Sequence, residues 1–256
     1  MQTPLSPDNP HGPGRHGFAW EHVPGASAAH LDFGCGNGAF LASLRPKGIR
    51  RLAGVDASSE AVARAHERFP DLDIHRVGPG EALPFEDRAF ASITMLDVLE
   101  HVYEQSQTLR DLVRVLADGG PLVVTVPQRY LFSCLDAGNL KFRFPRLHHR
   151  LFRLRHSEEE YVCRYASNPD GLIGDVSARK AWHEHFSPAG LAELLGSVGL
   201  QPVVWDGSGF FLRPLAPLVA ALGAVPGLRR AGRAIERSDA RAFRSMNLFC
   251  VARKKG

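Results

Sequence analysis

The sequence predicts an α/β fold: a mostly parallel, seven-stranded sheet with helices on both faces and two inserted segments. Three observations carry the prediction. Strand-like apolar runs alternate with helical patterns from Ala26 to Pro127. A loop of alternating glycines, "GCGNG" (Gly34 to Gly38), joins the first strand to the first helix. After two long interruptions come a further helix and two more apolar runs, the last being "MNLFCVAR" (Met246 to Arg253). Alternation of strand and helix implies right-handed crossovers, and hence parallel strands covered on both faces. A chain of 256 residues has room for one such domain, and 44% hydrophobic with 23% charged residues is the balance of a soluble globular protein.

The elements follow in order. "ASAAHLDF" (Ala26 to Phe33) is a short apolar run closed by glycines and reads as a buried strand. "GAFLASLRP" has helical spacing until Pro46 stops it. "RRLAGVDAS" (Arg50 to Ser58) is a second strand ending on Asp56, with Ser58 or Ser59 available to cap the helix "SEAVARAHERF". "LDIHRV" (Leu72 to Val77) and "AFASITML" (Ala89 to Leu96) are the third and fourth strands. "EQSQTLRDLVRVLA" (Glu104 to Ala117) places Leu109, Leu112, Val113 and Leu116 on one helical face, "DGG" ends it, and "PLVVTVP" is the fifth strand. The pattern breaks from Gln128 to about His185, then resumes with the helix "SPAGLAELLGSVG" and the sixth strand "LQPVVWD". It breaks again from Gly207 to about Arg244, and the run from Met246 forms an additional strand, antiparallel beside the sixth. Long interruptions of a compact domain are uncommon unless functional, so both are expected to fold over the site.

Residues 1–16, with four prolines in the first thirteen, read as a disordered leader without the basic and apolar regions of a signal peptide. Residues 17–127, 185–206 and 245–256 then form the core, residues 128–184 a substrate lid, and residues 207–244 a helical, basic and amphipathic second lid. Cys35, Cys134, Cys163 and Cys250 show no metal-ligand spacing, which favours reduced thiols and a cytoplasmic setting.

In open parallel sheets, ligands sit outside the carboxyl ends of the strands. The residues there are Asp32 to Gly38, Asp56, the "GPGEAL" turn, Asp97 and Pro127. Asp56 lies eighteen residues past Gly38, where a carboxylate accepts the hydroxyl protons of a ribose. A phosphate-binding GxxxxGK loop is absent. A dinucleotide site wants G-x-G-x-x-G, whereas the spacing here is G-x-G-x-G, and Asp32 would repel a pyrophosphate. An acid there suits a cationic ligand.

These residues resemble the class I S-adenosylmethionine-dependent methyltransferases, within the small-molecule branch that includes the quinone-biosynthesis enzymes. The resemblance rests on "LDFGCGNG", "GVDAS", "GEALPFEDRAFASITMLDVLEHV", "VLADGGPLVVTVP" and "HFSPAGLAELLGSVGL". It implies a Rossmann-like methyltransferase sandwich with S-adenosyl-L-methionine as methyl donor and S-adenosyl-L-homocysteine as product. By the family pattern, Asp32, Gly34, Cys35 and Gly36 line the methionine part and its ammonium, and Asp56 holds the ribose hydroxyls. Ala57 lies against adenine, Gly80 and Glu81 belong to the adenine-side turn, and Leu96 and Asp97 close the pocket. One departure is Pro79, which stands where relatives carry an acid that contacts the adenine amino group. Either Glu81 reaches in or that contact is lost.

Transfer to an alcohol or phenol is helped by a general base, and histidine titrates near neutral pH. His185, His183 and His101 are the expected candidates, with His148 and His149 behind them. "HEH" (His183 to His185) has no second ligand cluster to make a metal site, so no metal is expected. The formal charge is +4. Arg129 to Arg155 holds seven basic residues against Asp136 alone, a net of +6, and Arg213 to Arg244 has a net of +5. The remainder is therefore acidic. Arginines interleaved with Phe142, Phe144, Leu147, Leu151, Phe152 and Leu154 suit an anionic membrane surface. Prolines 214, 217 and 226 interrupt any membrane-spanning run. The expected acceptor is a small molecule, lipid or lipid-linked glycan, with nucleic acid disfavoured for want of an RNA-binding signature. O-methylation is favoured, carbon or nitrogen methylation is the alternative, and a cofactor-binding regulator without turnover is the non-enzymatic one.

Overall fold

The computed structural model describes residues 14–129, 144–163, 184–208, 227–228, 231–232, 234–235, 238 and 246–255. Most of the expected leader, the middle of the first insertion and nearly all of the second lie outside these residues. The strands are β1 (Ala29–Phe33), β2 (Arg51–Asp56), β3 (Asp73–Arg76), β4 (Ser92–Leu96), β5 (Pro121–Pro127), β6 (Leu200–Ser208) and β7 (Asn247–Lys254). Among the described residues the helices are α1 (Arg15–His22), α2 (Ala39–Ser43), α3 (Ser59–Arg68), α4 (Gln105–Val115), α5 (Pro145–Arg153), α6 (Glu158–Tyr161) and α7 (Pro188–Ser197). The seven strands form one sheet in the order β3-β2-β1-β4-β5-β7-β6. β3 through β5 pair in parallel, and β7 runs antiparallel to both β5 and β6. The last strand thus lies beside the sixth, as expected, and also separates it from the fifth.

Burial on both faces explains why the strands read as apolar runs. One face packs Leu31, Ile93, Met95, Leu122 and Val124 against Leu109 and Leu112 of α4 and Leu191 and Leu195 of α7. The opposite face packs Val123, Phe249 and Val251 against Phe18 and Ala19 of α1, Phe40 and Leu41 of α2, and Val62 and Ala65 of α3. Each fully buried leucine or phenylalanine contributes about 1.5–3 kcal/mol.

Local chemistry fixes the element ends. Ser58 caps α3, its hydroxyl accepting from the Ala61 N–H at 3.1 Å. Ser187 caps α7 in the same way through the Gly190 N–H. Helix α2 is shorter than the expected run to Pro46, because proline has no N–H for an i−4 bond; Arg45–Lys47 turns as a 3-10 helix instead. In α4, Val115 completes the buried stripe of Leu109, Leu112 and Leu116, while Val113 lies only partly covered at its margin. α1 begins at Arg15, inside the segment expected to be a disordered leader: its Phe18 and Ala19 find an apolar sheet face to bury against. Trp20 Nε1 donates to the Ser43 carbonyl, and Lys47 Nζ lies 4.3 Å from the Trp20 ring, tying α1 to the end of α2.

The two insertions leave and return at one end of the sheet. Gln128, just past β5, bridges to Phe186 where the first insertion rejoins, and Arg129 N–H donates to the Phe186 carbonyl. Ser208 at the end of β6 stands opposite Asn247 at the start of β7. Pro127 pairs with the same Asn247, so both excursions issue from the carboxyl end of the parallel strands.

Candidate active site

At that carboxyl end the glycine loop turns under the control of β2. The N–H groups of Gly34 and Cys35 both donate to the Val55 carbonyl, at 2.8 and 3.0 Å. The Asp56 carboxylate then accepts from Gly36 N–H at 2.7 Å on one oxygen and from Ser58 N–H at 2.9 Å on the other. Gly34 takes φ +82°, and a Cβ there would meet Val98 at 2.3 Å, so only glycine permits this path. Gly36 also has positive φ, yet a Cβ there meets nothing within 4 Å: the loop is open on that side. Each Asp56 oxygen keeps a further lone pair, so the carboxylate that holds the loop can also receive the two hydroxyls of a ribose.

Asp32, at the end of β1, is 3% exposed, with its Oδ1 2.6 Å from the Thr94 hydroxyl oxygen. Burial pushes its carboxyl up to about 7; the Thr94 hydrogen bond opposes that shift, and nearby Asp56 adds to it. A buried acid of this kind gains most from a cationic neighbour. Cys35 is buried and its Sγ lies 3.9 Å from the Gly36 carbonyl. Burial and the two aspartates raise its thiol well above the ordinary range, which leaves it a packing residue without nucleophilic character.

Asp97, just after β4, has φ +54°, an uncommon conformation for a residue with a side chain. It is held from two sides: Thr125 Oγ1 donates to Oδ1 at 2.6 Å, and Arg15 of α1 pairs with Oδ2. Leu96 is half-buried beside it on the α1 side of the sheet. Ala57 is half-buried after β2. In the turn after β3, Glu81 folds back on its own loop, accepting from the Gly78 N–H at 2.7 Å, while Gly80 takes φ +81° and Pro79 is exposed. Glu81 therefore shapes the turn that Pro79 and Gly80 form.

The histidines are distributed unevenly. His101 ends a 3-10 turn (Leu99–His101) directly after β4 and is half-buried, its Nε2 4.0 Å from Glu100 Oε1. His185 is half-buried at the return of the first insertion. Gln105 Nε2 donates both to the Leu99 carbonyl and to Glu184 Oε2, so one side chain links the turn of His101 to the neighbour of His185. His183 lies outside the described residues. His148 and His149 lie on α5 against Tyr161, and His149 pairs with Glu158, so both belong to the α5–α6 pair. Among the described residues, no group of three His, Cys, Asp or Glu side chains could hold a metal ion.

The sequence reading overlooked several residues of this region: Thr94, Thr125, Arg15, Gln105, and His30 with Ser92. His30 Nδ1 lies 2.8 Å from Ser92 Oγ and its Nε2 3.1 Å from Thr94 Oγ1, all fully buried. A signal was present. His30 and Asp32 in β1, and Ser92 and Thr94 in β4, are polar residues at every second position of strands otherwise apolar on both faces.

Residues 31–124 match the family model described as "Methyltransferase domain". Over that stretch, which takes in the glycine loop and Asp56, the chain is similar to methyltransferase domains. A Mycolicibacterium smegmatis protein named "Probable S-adenosylmethionine-dependent methyltransferase" is 33% identical over 121 residues, 46% of each chain. The "Ubiquinone biosynthesis O-methyltransferase" of Aromatoleum aromaticum is 30% identical over 145 residues, 53% of this chain and 62% of that one. The match thus spans about half the length of the curated relatives. Among solved structures, an S-adenosylmethionine dependent methyltransferase from Mesorhizobium loti superposes with TM-score 0.55 at 17% identity, over 94% of this chain and 98% of that one. Methyltransferase domains use S-adenosylmethionine, which carries an ammonium and a ribose diol, and the residues present fit such a group: the buried carboxylates Asp32 and Asp56 and a glycine loop open at Gly36.

Proposed function

We propose that the chain is an S-adenosylmethionine-dependent O-methyltransferase acting on a small-molecule, lipid or lipid-linked glycan acceptor. The observation that carries this reading is the Asp56 carboxylate, which pins Gly36 and Ser58 and so presents its remaining lone pairs beside the open glycine loop. Bound S-adenosylmethionine would supply an activated methyl group on a sulfonium. Asp56 holds the ribose, Asp32 faces the ammonium, and Leu96 and Asp97 close the pocket toward α1. His101 and His185, whose sequence neighbours Leu99 and Glu184 are joined by Gln105, are the candidate bases for the acceptor's hydroxyl proton as the new C–O bond forms.

The acceptor class is supported by α5. Phe144, Leu147, Leu151 and Leu154 recur at helical spacing and are each about half exposed or more, flanked by Arg146, Arg150, Arg153 and Arg155. This pattern fits an apolar or anionic acceptor drawn from a cytoplasmic membrane surface. No helix among the described residues is long and apolar enough to cross a membrane.

Calorimetric titration with S-adenosylmethionine tests the donor site. Asp56→Ala is expected to weaken binding about 10- to 100-fold, since hydrogen bonds to a charged group contribute about 1.5–3 kcal/mol each; undiminished binding refutes the site. Labelled methyl transfer into a cell extract then identifies the acceptor fraction: lipid, small molecule or RNA. A second reading, a cofactor-binding regulator without turnover, is favoured by one observation: Glu81 is engaged with Gly78 and Pro79 offers no acceptor for adenine. Binding without transfer to any fraction would select it.

A further inference from the structure

Beneath the glycine loop four polar side chains from the two central strands form a single row. Ser92 Oγ lies 2.8 Å from His30 Nδ1, His30 Nε2 lies 3.1 Å from Thr94 Oγ1, and Thr94 Oγ1 lies 2.6 Å from Asp32 Oδ1. The parallel register, His30 opposite Ser92 and Asp32 opposite Thr94, sets the spacing. All four are buried.

With a neutral imidazole the fully bonded row has two opposite directions, set by whether Asp32 Oδ1 accepts from Thr94 or donates to it. When Asp32 is ionised it can only accept, so Thr94 donates its single hydroxyl proton to Asp32 and must accept from His30. His30 is then the Nε2–H tautomer, and its Nδ1 accepts from Ser92. When Asp32 carries a proton and donates it to Thr94, every bond reverses: Thr94 donates to Nε2, and His30 Nδ1–H donates to Ser92.

We infer that Ser92, His30 and Thr94 are a reversible hydrogen-bond relay that positions Asp32 for the amino group of the methyl donor and changes direction when that group binds. This rests on the donor reading above. An ammonium at Asp32 fixes the carboxylate in its ionised form, and the relay then presents a donor to each acceptor along the row. A neutral ligand leaves the relay as it is.

The surroundings leave Asp32 as the group that changes. Burial pushes His30 down to about 3, with the Lys47 charge adding to the effect, so it stays neutral in either arrangement. Asp56 of β2 disfavours a second charge on Asp32, and the Cys35 thiol in the loop is held protonated. From α1, Arg15 is paired with Asp97, and His16, beside Phe40, is neutral, its pKa pushed down to about 3 by burial.

The test uses the full chain, labelled with nitrogen-15 at histidine, at pH 6. Nitrogen chemical shifts identify the tautomer of His30, assigned by its absence from His30→Gln. The free chain is expected to show Nδ1–H; S-adenosylhomocysteine, which carries the amino group, is expected to convert it to Nε2–H. Methylthioadenosine, which lacks the amino acid part, is expected to leave it unchanged. Thr94→Val should abolish the conversion and lower affinity for S-adenosylhomocysteine about tenfold while methylthioadenosine affinity stays within twofold, and Thr94→Ser should restore both. A His30 tautomer indifferent to S-adenosylhomocysteine, or an equal loss of both ligands in Thr94→Val, overturns the relay while leaving the donor site standing. A wild-type chain that binds neither ligand overturns the donor reading and the relay with it.

Discussion

At the scale of single residues, the site is a problem of placing acids. Asp32 sits in a nearly closed environment with its carboxyl pushed up to about 7. Because its folded value lies above the unfolded one, its contribution to stability is fully present below about pH 4 and is lost as pH rises through 7. Asp32→Asn removes that loss. Urea unfolding of the two proteins is therefore expected to show the variant gaining on the wild type between pH 4 and pH 8 by about 4 kcal/mol, the equivalent of a shift of about three pH units. A gap independent of pH would mean that Asp32 is already ionised in the free fold. Asp97 carries its own cost in a left-handed conformation, offset by Thr125 and Arg15 on its two oxygens. The individual acids were legible from their places after apolar runs. Their partners were not, since Thr94 lies sixty-two residues from Asp32 and meets it only through strand register.

At the scale of elements, the sequence was most readable where burial is two-sided. β1, β2, β4 and β5 are apolar because both faces are covered, and their glycine, proline and serine boundaries have local mechanisms. α1 was hidden behind a proline-rich stretch: its first turn carries Arg15 and His16, polar residues whose role appears only when the sheet end is in place. α5 was visible as composition but not as a helix. Its stripe of Leu147, Leu151 and Leu154 with four flanking arginines leads to a direct expectation. Sedimentation with vesicles rich in anionic lipid should retain the wild-type chain and lose Leu147→Asp/Leu151→Asp at least tenfold, with binding weakened by salt, since each arginine near the surface is worth about 1 kcal/mol. Binding that neither the variant nor salt changes would place the acceptor surface elsewhere.

At the scale of the whole molecule, charge and topology divide the labour. The insertions concentrate the basic residues of the sequence, while the carboxyl end of the sheet presents Asp32, Asp56 and Asp97. That division was legible as a charge count; the convergence of both insertions on Asn247 was not, because it depends on where β7 inserts. β7 buries Leu248, Phe249 and Val251, together worth about 6 kcal/mol, comparable with the whole stability of a typical domain. Deleting residues 246–256 is expected to abolish cooperative unfolding in circular dichroism; a sharp transition in the truncated chain would show that the fold stands without β7. The same placement governs synthesis on the ribosome. The donor loop and its five parallel strands emerge first, but the outer edge of β5 has no neighbour until residues 128 to 246 have followed, on the order of ten seconds at ~5–20 residues per second. Throughout that interval a strand that the finished fold buries along its whole length leaves one backbone edge unpaired, an edge open to aggregation until β7 arrives.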